Sequence, residues 1–313
     1  MTESNESERT PATVLDAPRA RTAALEAGYA SVHLFDSVDS TTTRARELLM
    51  NGTDADRKSL GELSVFSTLY QSDGRGRLAR PWTAPPGACL ATSIVVRPHA
   101  STEPGTRELP EDSYHWLTLV AGLSVVDIWR YYGAEAHLKW PNDVIAQGAK
   151  GCGILAQLVP ESGVNEGLRS IIVGIGQNTN MTAEQLPVPT ATSLRLCTGH
   201  TVDSTEVLER LLVAFARRYR AFLRAGGGPE AADPLTDVPS LLDAARAVCS
   251  TLGAEVAMSL PDGSVVRGVA EDMDAQGRIL IRREDGTLAP YAVGDIEHLR
   301  PANGSYGDFR PAH

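Results

Sequence analysis

Apolar positions recur at two different periods along this chain, and the change of period divides it into elements. Helical spacing links Leu117, Val120, Leu123, Val126 and Trp129, with Ser113 placed to cap that helix, and returns over residues 207–224. Ser40 or Thr41 is expected to cap another helix, running to about Met50 and ended by Asn51-Gly52. Buried strands are expected at 32–35, 63–67, 89–96, 137–139, 153–159 and 171–175. Residues 70–87 show no period and are dense in Gly, Pro and Arg, so they must be loop. Residues 97–112 read as a polar connection. Beyond Ala254 short alternating runs are punctuated by Pro261-Asp262-Gly263, Asp274 to Gly277 and Glu284-Asp285-Gly286, the spacing of a small antiparallel barrel or sheet.

A length of 313 residues suggests about two domains, and Gly226-Gly227-Gly228-Pro229 is the clearest linker. The expected division is a mobile tail over 1–28 with at most one short helix, and an α+β domain over 29–230. A linker and helix follow over 231–250, then a β domain over 251–301 and a tail over 302–313. No internal repeat stands out.

Composition narrows the function classes. Hydrophobic residues make up 42% and charged residues 22%, which is ordinary globular usage. A net charge of −10 argues against duplex nucleic-acid binding as the main role, so any basic site must be local. The longest mostly apolar stretch, 117–126, is too short to cross a bilayer. The start, MTESNESERTP, is polar and acidic where a secretory signal needs a basic then an apolar run, so a cytoplasmic location with no membrane is expected. That short lead leaves no space for a helix-turn-helix, and no DNA partner is expected. Cys89, Cys152, Cys197 and Cys249 lie far apart without metal-ligand spacing and read as reduced, buried thiols.

Only Lys58, Lys139 and Lys150 are lysines among 29 basic residues, and two of them fall in KWPNDVIAQGAK. A compact ammonium differs from a planar guanidinium, which draws attention to both positions. Four segments nearby carry chemistry. In 71–82, glycines 74 and 76 let the backbone approach a ligand while Arg75, Arg77 and Arg80 supply donors for a phosphate or carboxylate; a solvated basic turn or an RNA-contacting Gly-Arg segment competes. Lys139-Trp140-Pro141-Asn142-Asp143 puts an amide and a carboxylate at a strand end, suited to nucleotide and magnesium, although taken alone an Asn-Asp pair after Pro is more often a turn. Lys150-Gly151-Cys152-Gly153 aims an ammonium over a sheet or guards its edge. Gly174-Ile175-Gly176-Gln177-Asn178 leaves space for a ligand or marks a bulge.

Taken in order, Asp39-Ser40-Thr41, Gln71-x-x-Gly-Arg-Gly-Arg, Lys-Trp-Pro-Asn-Asp, Lys-x-x-Gly-Ile-Leu and Gly-Ile-Gly-x-Asn resemble the biotin protein ligase family. The resemblance covers about residues 32–300, including Ala191-Thr192-Ser193-Leu194 and the C-terminal β domain. It implies an α+β fold: a central mixed β-sheet flanked by helices, class II synthetase-like, with a small C-terminal Src-homology-like β-barrel. A form without an N-terminal DNA-binding domain is expected.

By the same resemblance, Ser40, Thr41, Thr42 and Gln71 fall at biotin positions, and Gly74, Arg75, Gly76 and Arg77 at the loop that closes over biotin and its adenylate. Gly153, Gly174 and Gly176 line the biotin pocket. Arg77, Arg80, Trp82, Lys139, Asn142, Asp143 and Asn178 fall at ATP positions, with Asp143 also at the magnesium position. Lys150 meets the reacting carboxylate and α-phosphate, and Lys150, Arg75 and Arg77 are the expected catalytic cations. ATP and biotin are substrates with Mg²⁺ present, and the partner is a biotin carboxyl carrier domain of acetyl-CoA or a related acyl-CoA carboxylase. Monomer and homodimer both stay open. Two positions depart from the family pattern: Thr42 where Asn is common and Ala79 where a third glycine is usual. The alternatives are a lipoate or octanoate transferase of related fold and, from another class, a nucleic-acid-binding module.

Overall fold

The computed structural model describes residues 11–77, 80–102, 109–292 and 295–298. Seven strands form one mixed sheet in the order β1-β2-β3-β7-β6-β5-β4. They are β1 (Ser31–Phe35), β2 (Leu63–Thr68), β3 (Leu90–Val96), β4 (Ala136–Lys139), β5 (Asp143–Ala146), β6 (Ala149–Pro160) and β7 (Arg169–Gln177). Only β1 and β2 run parallel, because the helices α2 (Thr41–Asn51) and α3 (Asp54–Ser59) carry the chain back between them. Alternation along the strands sends Val65, Ile94, Ile171 and Val173 into the main core with α1 (Ala17–Glu26), α4 (Trp116–Tyr131) and α6 (Ser204–Arg224). Phe66, Val95 and Ile172 point the other way and pack on Ala45 and Leu49 of α2. The single helix on that second face covers only part of it, so the glycine-bearing ends of β6 and β7 stay open beside the N-terminus of α2.

After α5 (Leu194–Thr198), α6 and α7 (Leu241–Val248), the chain forms β8 (Glu255–Ser259), β9 (Val265–Met273), β10 (Ile279–Arg283), β11 (Leu288–Tyr291) and β12 (Asp295–His298). These make an antiparallel five-stranded sheet, β11-β10-β9-β8-β12. Its core residues Met258, Met273, Ile279 and Ile281 are continuous with the main core. Two indoles fix its position: Trp116 Nε1 donates to the Ala275 carbonyl at 3.0 Å and Trp140 Nε1 to that of Gly277 at 2.9 Å. Among the described residues no helix is long and apolar enough to cross a membrane.

Several expectations need correction. The one short helix allowed for in the N-terminal stretch is present at 17–26, but it is capped by Asp16 and packed on α6 through Ala20 and Ala24, so this stretch is not a mobile tail. Ser113 does not cap α4. It ends a 3₁₀ turn and donates to the Pro110 carbonyl, while His115 occupies the cap position without a side-chain bond. The glycines at 226–228 form an ordered turn rather than a loose tether, since a Cβ on Gly227 would lie 2.7 Å from Ser113 Oγ. The short elements α3, β5 and α5 were not foreseen. Expected tails at 1–10 and 302–313, and Ala79, lie outside the described residues.

Candidate active site

Ser40 opens α2 by accepting from the Thr43 amide, which places Thr41 and Thr42 on the helix's first turn facing the open sheet. Gln71 holds this turn through its Oε1, which accepts from the Thr41 amide at 2.8 Å and from Thr41 Oγ1 at 3.1 Å. Residues 74–77 and 80–82 fold against each other: the Trp82 amide donates to Gly74 O and the Gly76 amide to Arg80 O, each at 2.8 Å. The arginines of this loop diverge. Arg75 pairs with Asp73 at 2.7 Å with its side chain 54% exposed, whereas Arg77 reaches across to Asn142 Oδ1 at 2.9 Å.

Asn142 and Asp143 sit where Trp140-Pro141 turns the β4 edge into β5. Asn142 Nδ2 donates to the Ile154 carbonyl, which fixes its oxygen toward Arg77. Asp143 Oδ1 lies 2.7 Å from Lys150 Nζ, and that ammonium is also 5.8 Å from the Trp82 ring centroid. Backbone bonds on both sides clamp Lys150, its amide to Thr190 O and its carbonyl to the Thr192 amide. Trp82 lies against glycines: a Cβ on Gly176 would come within 2.8 Å of its ring and one on Gly153 within 3.2 Å. Space explains both glycines. Beneath it Trp82 Nε1 donates to Cys89 Sγ, a thiol that burial pushes up to about 11 and keeps uncharged.

These residues surround one cleft of about 410 Å³. Of the expected site residues, Ser40, Thr41, Thr42, Gln71, Arg75, Gly76, Arg77, Arg80, Trp82, Asn142, Asp143, Lys150, Gly153, Gly174, Gly176 and Asn178 line it. Gly74 and Lys139 do not. Gly74 forms the base of the loop, where a Cβ would meet the Trp82 carbonyl at 2.4 Å, and Lys139 belongs to the outermost strand β4, opposite Asp143 in register. Asn178 donates to Thr192 O and keeps a buried Oδ1 with no partner among the described residues, an acceptor turned to no protein donor. Two groups were missed. Ser93, between Thr41 and Thr42, looks in sequence like any small strand residue, and the wall at Pro187, Val188 and Thr190 carries only a proline signal.

The cleft thus offers four cations against the single carboxylate of Asp143, beside a hydroxyl-rich end at α2. Such a site suits two anionic reactants held together, one of which ends in a polar neutral group. Among the described residues no three His, Cys, Asp or Glu side chains gather as a metal site.

Comparison with known proteins agrees with this reading. A family model described as the Biotin/lipoate A/B protein ligase family matches residues 34–178, and one described as the Biotin protein ligase C terminal domain matches 251–299. The biotin–[acetyl-CoA-carboxylase] ligase of Mycobacterium tuberculosis is 32% identical over 240 residues, 75% of this chain and 79% of that one. The bifunctional ligase/repressor BirA of Bacillus subtilis is 32% identical over 198 residues, and the match spans 62% of this chain but 55% of that relative. A solved structure, the biotin protein ligase from Aquifex aeolicus in complex with biotin and ATP, aligns with TM-score 0.63 at 25% identity, covering 87% of this chain and 98% of that one. Fold, cleft and sequence together establish that the chain belongs to the biotin protein ligase family.

Proposed function

We propose that the chain is an ATP-dependent biotin protein ligase that joins biotin to a lysine of a biotin carboxyl carrier domain, that of acetyl-CoA or a related acyl-CoA carboxylase, in the cytoplasm. The observation that carries the reading is the convergence of Lys150, Arg77 and Asn142 on one cleft whose other end is the hydroxyl-lined turn of α2.

In the first step a biotin carboxylate oxygen bonds to the α-phosphorus of ATP and the bond to pyrophosphate breaks, leaving biotinyl-5′-AMP. Both reactants are anionic and repel until cations offset their charge. Lys150 serves that purpose where they meet, with Asp143 and the backbone clamp holding its ammonium in place before substrate arrives, so little reorganisation is needed as charge grows. Arg77 and Arg80 face the same space and take the phosphates. Asn178 Oδ1 meets a donor of the nucleotide. The donor set also fits Mg²⁺ of the kind held by one carboxylate and substrate phosphates, with Asp143 as that carboxylate; when bound, the ion supplies charge neutralisation on the leaving pyrophosphate.

In the second step the acceptor lysine nitrogen attacks the biotinyl carbonyl, the C–O bond to AMP breaks, and the amine gives up a proton. The segments 74–77 and 80–82, tied down by Arg77 and Asn142, keep water from the mixed anhydride meanwhile. Residues 29–230 are the catalytic unit in this reading, and 251–301 brace it.

Incubation with ATP, Mg²⁺ and a recombinant carrier domain, offered biotin, lipoate or octanoate in turn, tests the proposal by intact mass. Addition of one biotinyl group, abolished when the acceptor lysine is replaced by arginine, is expected. Acylation by lipoate or octanoate at a comparable rate, or none by biotin, would contradict it.

A further inference from the structure

We propose that Ser93 sets the hydrogen-bond polarity of Thr42, so that the wall of the cleft at Thr42 accepts and does not donate, and thereby selects a ring N–H in the bound acid. The inference rests on the biotin reading above and deepens it.

Four side chains, Gln71, Thr41, Ser93 and Thr42, form a chain of hydrogen bonds in which each hydroxyl has one hydrogen to give. A backbone amide can only donate, so the group of Gln71 that faces the Thr41 amide at 2.8 Å must be its carbonyl oxygen. Thr41 Oγ1 lies 3.1 Å from that same oxygen and can bond to it only by giving up its single hydrogen. Ser93, fully buried on β3, lies 2.8 Å from Thr41 Oγ1, and the spent Thr41 hydroxyl can only accept there, so Ser93 donates. Thr42 Oγ1 is 2.9 Å from Ser93 Oγ, which has now also used its hydrogen, and Thr42 must therefore donate inward. What remains at Thr42 toward the cleft is lone pairs. Reversing any one link sets two acceptors face to face at bonding distance.

Space at this point is fixed as well. A Cβ on Gly174 would fall 2.9 Å from Thr42 Oγ1, so the glycine in the strand beneath leaves room for that oxygen. A urea ring carries N–H donors and matches such a wall; the dithiolane of lipoate and the alkyl end of octanoate carry none and would leave the acceptor unpaired. Thr42 is then a specificity-determining residue, and Ser93, which touches no ligand in this reading, a positioning residue.

The test uses full-length protein and equilibrium binding of biotin and of its two cyclic carbamate analogues, each with one ring N–H replaced by oxygen. Wild type is expected to reject one isomer by about a hundredfold relative to biotin. Thr42→Val should reduce that ratio to within about threefold, and Ser93→Ala to about tenfold, since the Thr42 hydroxyl is then able to turn and donate. Thr42→Ser should retain it. An unchanged ratio in Ser93→Ala and Thr42→Val, with biotin still bound by wild type, overturns the polarity claim alone. Should Ser93→Ala not fold, equal affinity of wild type for biotin and both carbamates overturns it just as directly. Wild-type protein that binds lipoate and not biotin overturns the underlying reading and this one with it.

Discussion

Trp140 donates its indole N–H to the carbonyl of Gly277 across the boundary between the two sheets. Trp140 directly precedes the turn that holds Asn142 and Asp143, and its own amide is bonded to Thr251 Oγ1, so the C-terminal unit braces the Asn142–Asp143 end of the cleft. Gly277 has φ +69°, and a Cβ there would lie 2.9 Å from the His115 ring. Gly277→Val is therefore expected to lower kcat/KM for ATP by about tenfold, equivalent to losing one buried hydrogen bond, with biotin affinity in the absence of nucleotide within about twofold of wild type. Steady-state kinetics with varied ATP and separate biotin titration check it. Equal losses for both ligands would point to general unfolding instead.

Arg75 and Arg77 are adjacent in the motif but differ in their ties. Arg75 bonds within its own loop to Asp73, and Arg77 crosses to Asn142. Arg77→Ala is expected to release adenylate several-fold more readily than Arg75→Ala, read as biotin transferred to bystander protein per carrier domain modified. The reverse order would place the tether elsewhere.

Lys150→Ala should slow adenylate formation by about 10²–10³, the scale of removing one preorganised donor to developing charge. Arginine is not expected to rescue it, because a planar fork cannot occupy the compact place between Asp143 and Trp82. Single-turnover measurement with quenched samples would show this, and near-normal rates in Lys150→Arg would contradict the geometry.

A buried cluster beyond the Val96 end of β3 predicts how the fold responds to acid. Burial raises the Glu161 carboxyl, but hydrogen bonds from His99, Arg97 and Ser170 outweigh it and hold the group far below the usual carboxylate range. Because the folded value is depressed, its contribution is fully present above the unfolded pKa near about 4.3 and is lost as pH falls below that toward the folded value. Glu161→Gln should cost about 3–5 kcal/mol at pH 7, since it leaves the Arg97 charge enclosed and unmatched. Denaturant unfolding should find this gap shrinking below about pH 4. A gap constant down to pH 3 would refute the assignment.

How much of this was legible in the sequence depended on element length and on the kind of signal. The helix from Ser40, the strand at 90–96 and the turns at Gly263, Gly277 and Gly286 were readable because caps, apolar runs and positive-φ glycines act locally. Strand β5 was not: four residues after Pro141 become a strand only by pairing with β4 and β6. Most residues that line the cleft were legible as motifs, yet the side-chain pairings among them were not. Asp73 claiming Arg75, Asn142 claiming Arg77 and Asp143 claiming Lys150 all depend on distances that no spacing rule contains. Lys139 was drawn toward the site by its neighbours in sequence, and the register of the β4 edge leaves it outside the cleft.

The central claim is that this cleft joins biotin to AMP. Exchange of labelled pyrophosphate into ATP measures that step alone, without an acceptor domain. Exchange is expected to appear only when biotin is added and to fall by about 10²–10³ in Lys150→Ala. Exchange that proceeds equally without biotin, or that lipoate supports as well as biotin does, would contradict it.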